Sequence, residues 1–103
     1  MSAKTVLSVG QCGYDHAAIS RLVAGAGGET VKVDLHSEMA SAIASHQPAL
    51  ILVNRINDSD GSSGITCIKE LRGDARFAHI PIMLVSNLPD AQAEAITCGA
   101  VPG

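Results

Sequence analysis

The chain has 103 residues, 47% of them hydrophobic, with one Phe, one Tyr and no Trp. That suffices for one domain with a modest core of its own, built from Ala, Val, Ile and Leu. Seven basic residues against ten acidic ones give a net charge of -3 with no cluster of either sign, which excludes the basic footprint of a nucleic-acid or anionic-membrane binder. Cys12, Cys67 and Cys98 are odd in number, widely spaced and free of any CxxC pairing, so reduced thiols are expected and neither a disulfide framework nor a zinc site is.

The opening MSAKTVLSVG holds an apolar run too short for a signal peptide or a membrane span, so a cytoplasmic location is the expectation. Thr5 to Val9 reads as a first strand closing at Gly10-Gln11-Cys12-Gly13. Asp15 reads as the cap of a first helix, whose apolar positions Ala17, Ala18, Ile19, Leu22, Val23 and Ala24 run to a stop at Gly25-Ala-Gly-Gly28. Glu29 to Leu35 alternates as a second strand, and Ser37 caps a second helix to Ser45. Ala49 to Val53 is an unbroken apolar run between Pro48 and a polar loop, the pattern of a strand buried on both faces of a parallel sheet. Ile65, Ile68 and Leu71 line a third helix that stops near Arg72-Gly73. Ile80 to Ser86 reads as a fourth strand with Pro81 near its start, and Pro89-Asp90 opens a fourth helix running to Gly99.

Strands and helices therefore alternate βαβαβαβα, which predicts an α/β fold of the doubly wound, flavodoxin-like kind with strand order 2-1-3-4. In such sheets ligands and chemistry gather at the carboxyl ends of the strands. The residue that follows the central strand is Asn54, an amide.

The segments HQPALILVN, GITCIKELRGD, AHIPIMLVSN and AEAITCGA together resemble the receiver domain of two-component response regulators, and the likeness runs over essentially the whole chain. In that family an acidic pair after the first strand binds Mg²⁺, an Asp after the third takes up a phosphoryl group, a Ser or Thr after the fourth senses it, and a Lys after the fifth contacts it. Carried over by position, Gly10 and Gln11 stand where the acidic pair belongs and Asn54 where the phosphoacceptor belongs; Ser86 alone matches by type. The resemblance thus implies a degenerate pseudo-receiver. The expected function is a non-catalytic signalling module acting by protein contacts, with no cofactor, no metal, no enzymatic activity and no aspartyl phosphate. Its first candidate surface is Ser86, Asn87, Pro89 and Asp90, beside the fourth helix.

Two alternatives accompany this reading. One is a phosphorelay regulator with a displaced acceptor, Asp58 or Asp60, although Asn57, Asp58, Asp60 and Gly61 are also plain turn formers. The other is a small-molecule domain of flavin or cobalamin type, using Gly10, Gly13 and Asn54 or, for a corrinoid, Asp15-His16; Tyr14 and Ile19 break the corrinoid motif. Other matches dissolve on spacing. A calcium loop around Asn57-Asp-Ser-Asp-Gly61 would put Ile56 at its first ligand position. Gly25, Gly27 and Gly28 follow a helix where a phosphate loop would open one. Arg72-Gly73-Asp74 reads as the end of a helix that needs a glycine. The sequence stops at Val101-Pro-Gly103, before a fifth strand and helix, so residues 1–103 are expected to form a single, C-terminally truncated domain. Its fourth strand would then be an uncovered apolar edge, and the expected partner is a second copy joined through the fourth strand, the fourth helix and the C-terminal residues.

Overall fold

The computed structural model describes residues 4–102; residues 1–3 and Gly103, the last residue of the expected C-terminal contact, lie outside the described residues. Parallel strands β1 (Thr5–Val9), β2 (Glu29–Val33), β3 (Leu50–Asn54) and β4 (Ile82–Val85) form one sheet in the order β2-β1-β3-β4, the topology expected from the sequence. Between and after them come α1 (Gly13–Gly25), α2 (Met39–His46), α3 (Gly64–Arg72) and α4 (Pro89–Thr97). The step from β1 to β2 runs one way across the sheet and the next two steps run the other. Right-handed crossovers therefore leave α1 alone on one face and place α2 and α3 on the opposite one.

On the face that carries α2 and α3, Leu7 stands beside Ile51 and Val9 beside Val53, and these continue to Ile82 and Leu84. All six side chains are buried and meet Met39, Ile43, Ile65, Ile68 and Leu71, each such burial stabilising the fold by about 1.5–3 kcal/mol. The opposite face differs from expectation. Leu50 and Leu52 are only half-buried, while Ile51 and Val53 are buried. The cause is the single helix there: α1 lies over β1 and β2, burying Val6 and Ser8, and Leu52, Met83 and Val85 sit to its side half-covered.

Element ends show where local chemistry departs from the sequence reading. The cap of α1 is Cys12, whose Sγ accepts from Asp15 N at 3.4 Å, so Asp15 lies in the first helical turn. The far end of α1 behaves as read: Gly28 N donates to Val23 O and Gly27 N to Ala24 O, closing the helix with paired backbone bonds. Strand β2 stops at Val33, two residues early, because Glu38 Oε1 accepts from Leu35 N at 2.9 Å and pulls the chain into a 3₁₀ turn over His36–Glu38. Met39 then opens α2, so Ser37 is not its cap. Gly73 has φ -77, an ordinary right-handed conformation, so the backbone at Arg72-Gly73-Asp74 does not require glycine.

Strand β4 is also shorter than expected. Ile80 belongs to the preceding turn, its N–H on Phe77 O, and Arg72 gathers that turn by donating to the carbonyls of Phe77, Ala78 and Ile80. Nor is the β4 edge wholly uncovered. At Gly99 the backbone takes φ +104, Ala100 N donates back to Ala95 O, and Val101 N reaches Ile82 O at 2.8 Å. Val101 thereby bridges Met83 in parallel, on the side of β4 away from β3.

Helix α3 approaches β3 so closely that a Cβ on Gly64 would stand 2.1 Å from Asn54 O and 3.0 Å from Val53 Cγ1. Gly64→Ala is expected to force α3 outward and destabilise the protein by about 1–3 kcal/mol, lowering its melting temperature by roughly 4–8 °C for each kcal/mol; unchanged thermal unfolding would contradict this packing. Cys67 is buried among the α3 core residues and burial pushes its thiol up to about 12, while Cys12 and Cys98 are partly exposed. In the native state a thiol reagent at neutral pH should label those two and reach Cys67 only on unfolding, which peptide mass mapping would read directly.

Candidate functional site

The carboxyl ends of β1, β3 and β4 bring together Gly10, Asn54 and Ser86. Gly10 is the hinge of the group. Its φ of +71 suits glycine. Its N–H donates to Val33 O at 2.8 Å, and its carbonyl accepts from both Asn54 Nδ2 at 3.0 Å and Asp58 N at 2.9 Å. A side chain at position 10 would meet Asn57, whose Cγ and Nδ2 stand 3.0 Å from the place of a Cβ.

Asn57 is itself fixed, only 1% exposed. Its backbone N–H donates to Ser62 O, its carbonyl accepts from Gly61 N, and its Oδ1 accepts from Ser59 N at 2.8 Å. Gln11 is equally buried, with Nε2 on Val9 O at 3.4 Å and no partner for Oε1 among the described residues. An ionised carboxylate at position 11 would be buried without a partner, and one at position 57 would keep only the Ser59 N–H, each at a cost far above that of a neutral amide. The site is thus built for uncharged groups at the positions nearest β1.

Ser86 turns its hydroxyl toward its own chain, Oγ accepting from Leu88 N at 3.1 Å. Gln92 of α4 fixes the strand end by donating from Nε2 to Leu84 O and Ser86 O, at 2.9 and 3.0 Å. Asn87, Pro89 and Asp90 are exposed, with Pro89 in the first turn of α4 and Asp90 behind it. A groove of about 290 Å³ joins Asn54, Ser86 and Asn87 to Asp15, Ala18 and Ile19 of α1. Asp15 is the residue whose place the sequence reading missed: taken for a cap, it lines the groove beside Asn54. The signal was available in the spacing, since the first turn of a helix after β1 stands over the strand ends.

The two candidate displaced acceptors are both exposed. Asp60 acts as a turn residue: Oδ1 accepts from Ser62 N at 2.9 Å and Ser62 Oγ at 2.5 Å, and the Ser62 hydroxyl first of all holds its carboxyl below the usual range. Asp58 lies toward β2 and adds to the field that raises Lys32, whose main partner is Asp34. His16, the residue a corrinoid would need, sits within α1 with Nε2 3.4 Å from Ser20 Oγ. Gly13 opens α1 on the surface.

The Mg²⁺ that the receiver resemblance implies does not fit this donor set. Magnesium is held by carboxylates together with phosphate oxygens. Here Gly10 has no side chain, Gln11 and Asn54 are amides, the Gly10 carbonyl already accepts two hydrogen bonds, and the exposed Asp15 is the one carboxylate that lines the groove. Among the described residues no group of three or more His, Cys, Asp or Glu side chains could hold a metal ion.

Among solved structures, the chain is similar to NtrX from Brucella abortus, with a TM-score of 0.82 and 18% identity over 96% of this chain and 22% of that one. It is also similar to the signal receiver domain of a signal transduction histidine kinase from Syntrophus aciditrophicus, with a TM-score of 0.79 and 21% identity over 95% of this chain and 74% of that one. The chemotaxis response regulator CheY4 of Vibrio cholerae gives a TM-score of 0.76 and 18% identity over 96% of this chain and 82% of that one. The chain thus spans about a fifth of NtrX but most of the two others. No family model and no curated protein sequence matches it. The solved structures show its fold to be the flavodoxin-like fold of response regulator receivers.

Proposed function

We propose that the protein is a non-catalytic signalling module, a pseudo-receiver that works through protein contacts without an aspartyl phosphate or Mg²⁺. The observation that carries this is the bond from Asn54 Nδ2 to Gly10 O at 3.0 Å. The residue at the phosphoacceptor position is a neutral amide committed as a donor, and it cannot form an acyl phosphate. Phosphoryl transfer rests on positioning an anionic nucleophile and neutralising charge with metal and cation. Gly10, Gln11 and Asn54 supply none of these. Ser86 supports the same reading, because its hydroxyl oxygen is engaged at Leu88 N and the turn it would move is already set. The surface of Ser86, Asn87, Pro89 and Asp90, braced from behind by Gln92, is where a partner would read the module.

Incubation with acetyl phosphate and Mg²⁺, followed by intact-mass analysis, should return the unmodified mass. A stable adduct of one phosphoryl group would overturn the reading. An adduct lost in Asp58→Asn would assign the acceptor to that loop.

Asn54→Asp replaces the donor to Gly10 O with an anion facing a carbonyl, and should cost about 1–2 kcal/mol of stability at neutral pH. Only the protonated acid can donate to Gly10 O, so the folded state raises this carboxyl above its unfolded value. The variant's deficit is therefore smallest at low pH and grows as pH rises through the carboxylic range. Urea denaturation of both chains across pH 3–7 measures it, and a deficit that shrinks toward neutrality would contradict the clasp.

A further inference from the structure

Helices α3 and α4 pack side by side, and a groove of about 300 Å³ runs between them, outside the strand-end site. Ile56 and Leu88, 43% and 50% exposed, give it an apolar lining at the end where both helices begin. Its charges are sorted. Arg55 and Lys69 stand on the α3 wall, Asp90 and Glu94 on the α4 wall, and all four are exposed. No ion pair joins the walls among the described residues; the pairs formed there are Lys32–Asp34 and Arg76–Asp74. Favourable helix-end placement accounts for Lys69 near the end of α3 and Asp90 at the start of α4. It accounts for neither Arg55, which precedes α3, nor Glu94, an acid at the level of α4 where Lys69 stands in α3, nor the sorting by wall.

We propose that this groove is the contact surface for a second copy of the same chain, the two copies related by a twofold axis running along the groove. A surface with one basic and one acidic wall is complementary to itself under that one rotation, which lays each basic wall on the partner's acidic wall. A twofold axis across the groove would instead set like charges together, which interfaces avoid. The levels agree as well: counting from Gly64 and Pro89, Lys69 and Glu94 are each the sixth residue of their helices. Lys69 therefore meets the partner's Glu94, Arg55 meets the partner's Asp90, and Ile56 and Leu88 are covered between them. This moves the dimer expected from the sequence away from the β4 edge, which Val101 already enters, and onto the other flank of α4. It is independent of whether the strand-end site can take up a phosphoryl group.

Sedimentation equilibrium of the whole chain at low and high salt tests the inference. A reversible dimer that weakens with salt is expected. Lys69→Glu and Glu94→Lys should each weaken it about ten-fold or more, since each places two like-charge contacts in the interface. An equimolar mixture of the two variants should recover dimer to within a few-fold of the original, because the mixed pair restores both contacts. Circular dichroism of each variant confirms that it is folded, and Lys69→Gln with Glu94→Gln serves as the milder pair if a reversal unfolds the chain. A wild-type chain that stays monomeric at high micromolar concentration would overturn the proposal. So would a dimer that the single reversals leave unmoved, or variants that fail to associate when mixed.

Discussion

The backbone carbonyl of Gly10 is the point on which this structure turns. It accepts from the Asn54 side chain and from the Asp58 backbone, while its own N–H holds Val33, so one residue ties together the ends of β1, β2 and β3. The residues around it are fitted to one another: position 10 has a positive φ, the space beside it is filled by Asn57, and Asn57 is locked by the turn it nucleates. A side chain at position 10 would have to move Asn57. The amide character of the ends of β1 and β3 therefore rests on the fit of Gly10, Asn54 and Asn57 to one another, and Asp15 of α1 brings the one carboxylate to the groove beside them.

Much of the fold was legible because it rests on local patterns. Apolar runs of strand length, helical spacing and the stops at Gly28 and Gly99 dictate the alternation, and the handedness of the crossovers converts that alternation into the order β2-β1-β3-β4. The misread ends share a physical reason: each was decided by a competing local bond. A thiol took the cap of α1 from Asp15, Glu38 drew Leu35 out of β2, and Arg72 kept Ile80 out of β4. None of these has a propensity signal strong enough to announce it.

The candidate site was legible by position and illegible in its geometry. The sequence locates Gly10, Gln11, Asn54 and Ser86 at the strand ends. That Asn57 fills the space beside Gly10, or that Asp15 shares a groove with Asn54, depends on contacts between residues dozens apart in the chain. The half-buried state of Leu50 and Leu52 is of the same kind. A continuous apolar run says that both faces of a strand can be buried, whereas the number of helices over each face decides whether they are.

On the side of α3 and α4, side chains of both helices tie them to the sheet and to the turn before β4. Ile65, Cys67, Ile68 and Leu71 root α3 in the core, Arg72 clips the turn leading into β4, and Gln92 fastens α4 to the last carbonyls of that strand. By contrast, α1 buries none of its own residues and spans its face alone. The groove whose charges are sorted by wall thus lies between two helices that side chains tie to the sheet, while the ends of β1 and β3 are held by the internal bonds of Gly10, Asn54 and Asn57.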